Sequence, residues 1–247
     1  GRTGFHQVCE KGNVNMVKIF MENATHLDID LNANYSLGWT GFHQACKKGC
    51  AKVVKIFMDN AATLDIDLNA KYINGWTGFH QACKSDNVNM VQIFMENATN
   101  LKIDLNAKHD SGWTGFHQAC FKGCAKVVQI FMENATTLNI DLNAKFNTSW
   151  TGFHYACAMG HVNVVKMFME KAATLGIDLN AKCINGWTGF HQACEKGDDN
   201  LVKIFMENAA TKDIDLNAKY NNDWTGFHLA CERGYSNVVK IFMENAA

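Results

Sequence analysis

The chain has 247 residues, with 23 Lys+Arg against 24 Asp+Glu, ten Cys, ten His, six Trp and no Pro. A content of 47% hydrophobic and 19% charged residues excludes a disordered chain. A net charge of −1 gives no bulk attraction to nucleic acid or anionic membrane, and no apolar run approaches the roughly 18 residues that insertion in a membrane needs.

Thr-Gly-Phe-His begins at Thr3, Thr40, Thr77, Thr114, Thr151, Thr188 and Thr225, each start 37 residues after the last. The units are therefore 1–37, 38–74, 75–111, 112–148, 149–185 and 186–222, followed by a partial unit 223–247. Periods of 20–50 residues mark solenoids, propellers or arrays, so 1–247 is read as a single repeat array. Seven of the ten Cys and seven of the ten His occupy one position each within the unit, so they are copies of a single choice.

In chain order, residues 38–74 illustrate the expected elements. Thr40 is placed to cap a helix through Phe42, Ala45 and Cys46 that Gly49 ends. From Val53 to Ala62 apolar residues recur at i, i+3, i+4, i+7 and i+8, predicting a second helix packed on both sides. Leu64 to Asn69 alternates apolar and polar residues, which suits an extended segment, and Ile73-Asn74-Gly75-Trp76 has turn chemistry. One unit cannot bury these faces alone, whereas a stack of units can. The expected fold class is an all-α repeat solenoid of helix-turn-helix units with extended or β-hairpin connectors.

Gly75-Trp76-Thr77-Gly78-Phe79-His80-Gln81-Ala82-Cys83 resembles the ankyrin-repeat signature G-x-T-P-L-H-x-A-A. Gly160-His161-Val162-Asn163-Val164-Val165-Lys166-Met167-Phe168 is similar to its G-H-x-x-V-V-x-x-L-L, and Asp178-Leu179-Asn180-Ala181-Lys182 to its closing V-N-A. The resemblance covers the whole chain and implies a non-enzymatic scaffold for protein–protein interaction. It departs in two ways. Glycine replaces the family's proline at Gly4, Gly41, Gly78, Gly115, Gly152, Gly189 and Gly226, and the unit has four extra residues, placed around Ala61 to Ile66 as an added helical turn or a longer connector. Proline is pre-set for a first helical position, so Gly115→Pro with Gly152→Pro is expected to raise the melting temperature.

His-x-x-Cys recurs at every unit, starting with His6/Cys9 and His43/Cys46, and these are metal-ligand types. Each unit offers only two, while a zinc site gathers about four at roughly 2.0–2.3 Å. No metal and no cofactor is expected; the resemblance implies that the His orients the turn by bonding Thr and backbone. A motif repeated with the same neighbours lacks the single gathering of nucleophile, base and orienting group that catalysis needs, so no catalytic residue is assigned. Asp28/Asp30, Asp65/Asp67 and Asp213/Asp215 read as a solvated loop, because the pair is reduced to one Asp at Asp104, Asp141 and Asp178. Ten thiols without suitable disulfide partners suit a cytoplasmic setting. Five Asn-x-Ser/Thr sequons, at Asn23, Asn34, Asn97, Asn134 and Asn147, follow from the abundance of Asn.

Function is then sought where the units differ. The connector-tip column Tyr35, Tyr72, His109, Phe146, Cys183 and Tyr220 reads either as an aromatic binding edge or as a ladder of rings packed tip on tip. On the face taken as outward on the first helix, Gln7, Gln44, Gln81, Gln118 and Gln192 give way to Tyr155 and Leu229. Charged positions give way to Phe121, Ala158 and Met159. Phe121, Tyr155, Ala158 and Met159, with Phe146 between them, are expected to form an apolar patch that binds another protein. The rival expectation is end-to-end self-association into a longer array or filament, suggested by the apolar last segment Val238-Val239-Lys240-Ile241-Phe242-Met243.

Overall fold

The computed structural model describes residues 1–245; the last two residues of the partial unit lie outside the described residues. Fourteen α-helices follow one another among them: α1 (Gly4–Lys11), α2 (Val14–Asn23), α3 (Gly41–Lys47), α4 (Ala51–Asn60), α5 (Gly78–Lys84), α6 (Val88–Asn97), α7 (Gly115–Lys122), α8 (Ala125–Asn134), α9 (Gly152–Ala158), α10 (Val162–Leu175), α11 (Gly189–Lys196), α12 (Asp199–Asn208), α13 (Gly226–Glu232) and α14 (Ser236–Asn245). The odd-numbered helices start every 37 residues, and the fold is a helical repeat solenoid. No sheet is present among the described residues, and no described helix is long and apolar enough to cross a membrane.

Each first helix starts on a reciprocal cap in which histidine takes the place usually held by Glu or Gln. In α3, the Thr40 hydroxyl oxygen accepts the His43 N–H at 3.4 Å, and the Thr40 N–H donates to His43 Nδ1 at 3.1 Å. Two of the four orphan amides of the helix start are thereby satisfied. The second helices follow after a short turn whose capping residue varies: Asn13 and Asn87 accept the N–H of Met16 and Met90, and Asp198 accepts that of Leu201. α4 begins two residues before the periodicity predicts, at Ala51, and ends at Asn60.

The four extra residues form a helical turn closed by a left-handed residue. Leu64 N–H reaches the Asn60 carbonyl at 3.0 Å and Ile66 N–H the Ala61 carbonyl at 3.0 Å, while Asp65 sits at φ 49°. This six-to-one closure is the Schellman motif. The same column is left-handed at Asp28, Lys102, Asn139 and Asp213, and in α10 it is glycine, Gly176 at φ 60°. The expectation of an extended segment over Leu64–Asn69 is therefore corrected: most of it is turn. The alternation of side chains arises from turns pinned by asparagine. Asn69 Nδ2 donates to the Lys102 carbonyl at 2.9 Å, and its Oδ1 accepts the Asp104 N–H at 2.9 Å, so one amide mimics a strand partner for the next repeat. Asn32 holds Asp65 and Asp67 in the same way, and Asn180 holds Asp213 and Asp215. The second Asp of each Asp-x-Asp accepts the N–H two residues on, as Asp67 does from Asn69 at 2.9 Å. The connector tips are loops closed by one backbone pair, such as Tyr72 N–H to the Trp76 carbonyl at 2.9 Å.

The chain divides into two compact units, Gly1–Gln118 with Thr136–Ile140, and Ala119–Ala135 with Asp141–Ala247. Within the first, interleaved Phe rings form the core. Phe42 lies 5.3 Å from Phe57 of its own repeat and 5.9 Å from Phe94 of the next, and Phe79 lies 5.1 Å from Phe94. Within the second, Phe153, Phe168, Phe190, Phe205 and Phe242 repeat the arrangement at 5.2–6.0 Å. Full burial of one such ring contributes about 1.5–3 kcal/mol. Because each ring bridges two repeats, this term belongs to the stack and not to a single repeat.

The glycine at the starts of α3, α5, α7, α11 and α13 is explained by this packing. A Cβ on Gly78 would stand 2.7 Å from Phe42 Cε1 and 3.0 Å from Cys46 Sγ. On Gly115 it would meet Cys83 Sγ at 2.7 Å, and on Gly189 Phe153 Cε1 at 2.7 Å. The expected gain from Gly115→Pro is therefore withdrawn. Phe and Cys of one repeat fill the space that a first-position side chain of the next would need. Gly4, at the first helix, has no atom within 4 Å of that position.

Candidate interaction site

His6, His43, His80 and His154 are held by both ring nitrogens. His43 Nδ1 accepts from Thr40, and Nε2–H donates to the Ala70 carbonyl at 2.8 Å. His80 and His154 reach the Trp113 and Trp187 carbonyls at 3.1 Å. Burial pushes His43, His80 and His191 down to about 4, with nearby backbone carbonyls opposing this, so all three are neutral, and His43 and His80 donate through Nε2 in one tautomer. Burial likewise pushes the Cys9 thiol up to about 12 and raises Cys46, Cys120 and Cys157 well above the usual range. These thiols are apolar core groups, without the thiolate character that reactivity needs.

The connector-tip column faces inward for much of its area. The Tyr72 ring lies 4.1 Å from Trp39 and 4.9 Å from His43, and the His109 ring stacks on Trp76 at 4.9 Å. Tyr35 packs edge-on against His6, and Tyr220 against Trp187 and His191. Tyr72, His109 and Cys183 are buried, while Tyr35, Phe146 and Tyr220 are half-buried. The tip rings are thus seated on the Trp and His of their own 37-residue unit, and an outward aromatic edge is corrected at Tyr72 and His109. The glutamine column is also inward. Gln44, Gln118 and Gln192 are buried, and Gln44 Nε2 and Gln81 Nε2 donate to the hydroxyls of Tyr35 and Tyr72.

This explains what Tyr155 does at the glutamine position. Its ring lies 5.6 Å from Phe146, 5.7 Å from Phe121 and 4.9 Å from Trp150. A phenol ring here takes the place of the glutamine-to-tyrosine bond and makes an aromatic cluster. Tyr155 is 7% exposed and Ala158 3%, so these two are corrected from surface contacts to the floor of the patch. Their burial has a simple cause: Tyr155 is enclosed by three rings, and Ala158 has no side-chain length with which to leave the floor. The open part consists of Met159 at 42% exposure and the half-buried Phe121, Phe146 and Trp150.

Two contributors were missed in sequence. In two repeats a lysine lies over the Trp face, with Lys47 Nζ 4.8 Å from the Trp39 ring and Lys84 Nζ 5.4 Å from Trp76. At Trp150 that position is Ala158, so no cation lid is available. The second is Ile184, 68% exposed, whose N–H donates to the Thr148 carbonyl at 3.1 Å beside the Phe146 tip. The same tip position is Ile73 in the second repeat and Ser36, Asp110, Asn147 or Asn221 in the others.

A family model described as ankyrin repeats (3 copies) matches residues 1–71, 63–145, 101–183, 138–217 and 173–247. No curated protein matches the chain. Among solved structures, the ankyrin repeat domain of Bcl-3, described as a unique member of the IkappaB protein family, superposes with a TM-score of 0.80 at 21% identity, over 97% of this chain and 99% of that one. The human ASB11 ankyrin repeat domain gives 0.75 at 17% identity over 97% and 98%, and the ankyrin repeat protein EF0377 gives 0.71 at 20% over 85% and 99%. At these identities the likeness concerns the fold. With its signature copied seven times and the family model matching from the first residue to the last, the chain belongs to the ankyrin-repeat family.

Proposed function

We propose that the chain acts as one array that is a non-enzymatic scaffold for protein–protein interaction, and that its partner docks on Phe121, Phe146, Trp150, Met159 and Ile184 over a floor of Tyr155 and Ala158. Ankyrin-repeat domains mediate interactions between proteins. The observation that carries the choice of face is the aromatic cluster around Tyr155, found where five other repeats have a glutamine. Rigid aromatic groups beside an exposed Met are the composition that interface cores favour. The outlying tips Tyr35, Tyr72, His109 and Tyr220 would serve this surface mainly by holding its shape.

The test is affinity capture with the wild-type chain and with Phe121→Ala plus Met159→Asp, both at half-buried or exposed positions. Loss of the captured protein with an unchanged melting temperature supports the reading, and equal capture refutes it. A second reading, end-to-end self-association, rests on the last described repeat. There His228 and Cys231 are exposed, whereas His191 and Cys194 are buried. Light scattering against concentration separates the two, because only self-association makes the apparent mass rise.

A further inference from the structure

Inside the chain, one repeat joins the next through a recurring set of contacts. Phe and Cys of the earlier first helix fill the space beside the next first-position glycine, as Phe5 and Cys9 do at Gly41 and Phe190 and Cys194 at Gly226. The same Phe ring meets the second-helix Phe of the next repeat, Phe42 with Phe94 at 5.9 Å and Phe190 with Phe242 at 5.8 Å. A carboxylate pairs with a cation of the next repeat, Glu10 with Lys48 at 3.5 Å and Glu195 with Arg233. His80 and His154 reach the next repeat's Trp carbonyl at 3.1 Å.

The first and last repeats each hold one half of this set without its mate. In the last, Phe227 is half-buried, and His228, Cys231 and Glu232 are exposed. Glu232 has no ion pair among the described residues, and its neighbour Arg233 is engaged by Glu195. In the first, Gly4 has open space beside it, Phe20 is half-buried, and Lys11 is exposed without an ion pair, its neighbour Glu10 being taken by Arg2 and Lys48. Met16 is 45% exposed, whereas its counterparts Val53, Met90 and Leu201 are fully buried.

Resting on the second reading above, end-to-end self-association, we infer that the first repeat of one copy of this chain seats on the last repeat of another, in the register that joins repeats inside the chain. A single shift of seven 37-residue periods matches all the halves at once. Phe227 and Cys231 fill the space at the next copy's Gly4, and the Phe227 ring meets the next copy's Phe20. The Glu232 carboxylate meets the next copy's Lys11, and His228 Nε2–H donates to the next copy's Arg2 carbonyl. Glycine at position 4 then has the steric reason that Gly41 and Gly226 have within one copy. The contact is heterologous, made by two different surfaces, so its two charges can be exchanged.

The test is sedimentation equilibrium over a concentration series. Gly4→Leu should weaken association roughly tenfold or more, because the side chain is free within one copy yet occupies the space of Phe227 and Cys231. Lys11→Glu should weaken it less, and Lys11→Glu/Glu232→Lys should recover most of that loss. A Cβ on Gly41 or Gly78 lies 3.0 Å from the cysteine sulfur of the preceding repeat, about the reach of a disulfide. Mild oxidation of Gly4→Cys should therefore give a cross-linked ladder that Cys231→Ser abolishes. Circular dichroism at low concentration confirms that each variant is folded. Association unchanged in Gly4→Leu, a double reversal no better than Lys11→Glu, or a ladder that survives Cys231→Ser overturns this register and leaves self-association standing. A mass that stays at one copy at every concentration overturns both.

Discussion

Replacing Gly78 by Ala places a Cβ 2.7 Å from Phe42 Cε1 and 3.0 Å from Cys46 Sγ. Neither atom can retreat cheaply. Phe42 is locked between Phe57 and Phe94, and Cys46 is fully buried. Overpacking of this kind costs about 1–3 kcal/mol, while the loss of glycine freedom from the unfolded chain returns about 0.4–1 kcal/mol. The net is a destabilisation of roughly 0.5–2 kcal/mol, or a few degrees of melting temperature for a chain of this size. Gly4→Ala meets no atom within 4 Å and should show only the gain. Phe42→Leu with Cys46→Ala removes both obstacles, so in that background Gly78→Ala should become neutral or stabilising, an interaction that a double-mutant cycle resolves. Urea and thermal unfolding followed by circular dichroism provide the assay. If Gly78→Ala stabilises the chain as much as Gly4→Ala does, the steric argument is wrong.

Three further outcomes are expected. His43, His80 and His191 stay neutral down to about 4 against an ordinary value of 6.5. The unfolded chain therefore binds protons that the fold does not as pH falls from about 6.5 to 4. Stability is full above that window and declines through it, by up to about 3 kcal/mol per residue; a urea midpoint independent of pH between 7 and 4.5 would count against the neutral tautomer. Lys102→Gly relieves a left-handed lysine at φ 51° and should add up to about 1 kcal/mol, with Gly176→Lys showing the reverse in the same melting assay. Asn69→Ala removes both bonds to the connector of the next repeat and should cost about 1–2 kcal/mol, read as earlier hydrogen exchange at the Asp104 amide; unchanged exchange there would show that the bridge contributes nothing.

The helices were legible in the sequence because their signals are local: Thr40 before an apolar periodicity, and glycine after it. The repeat period made each signal count seven times. The connectors were less legible. Leu64–Asn69 alternates like a strand, yet its partner is the asparagine side chain one repeat before, and a side chain standing in for a strand leaves no period of its own. The glycine for proline was visible, but its cause was not, since Phe42 and Cys46 meet Gly78 only after stacking. At the candidate site, Phe121 and Met159 could be picked out as departures from a charged column. The burial of Tyr155 and Ala158 could not, because a glutamine column that donates to the tyrosine hydroxyl of a neighbouring tip looks, in sequence, like any solvated face.

The asparagine bridges also bear on how such a chain can change length. Asn69 touches the backbone of two residues, Lys102 and Asp104, that lie 33 and 35 positions ahead. Asn32 and Asn180 reach across the same two intervals. Adding or deleting one residue between Lys102 and Asp104 would carry one of the two backbone groups out of reach. Duplication or loss of a complete 37-residue period leaves every amide facing an identical pair. The bridge therefore works as a length gauge for the turn it spans, and one that any whole number of 37-residue periods satisfies.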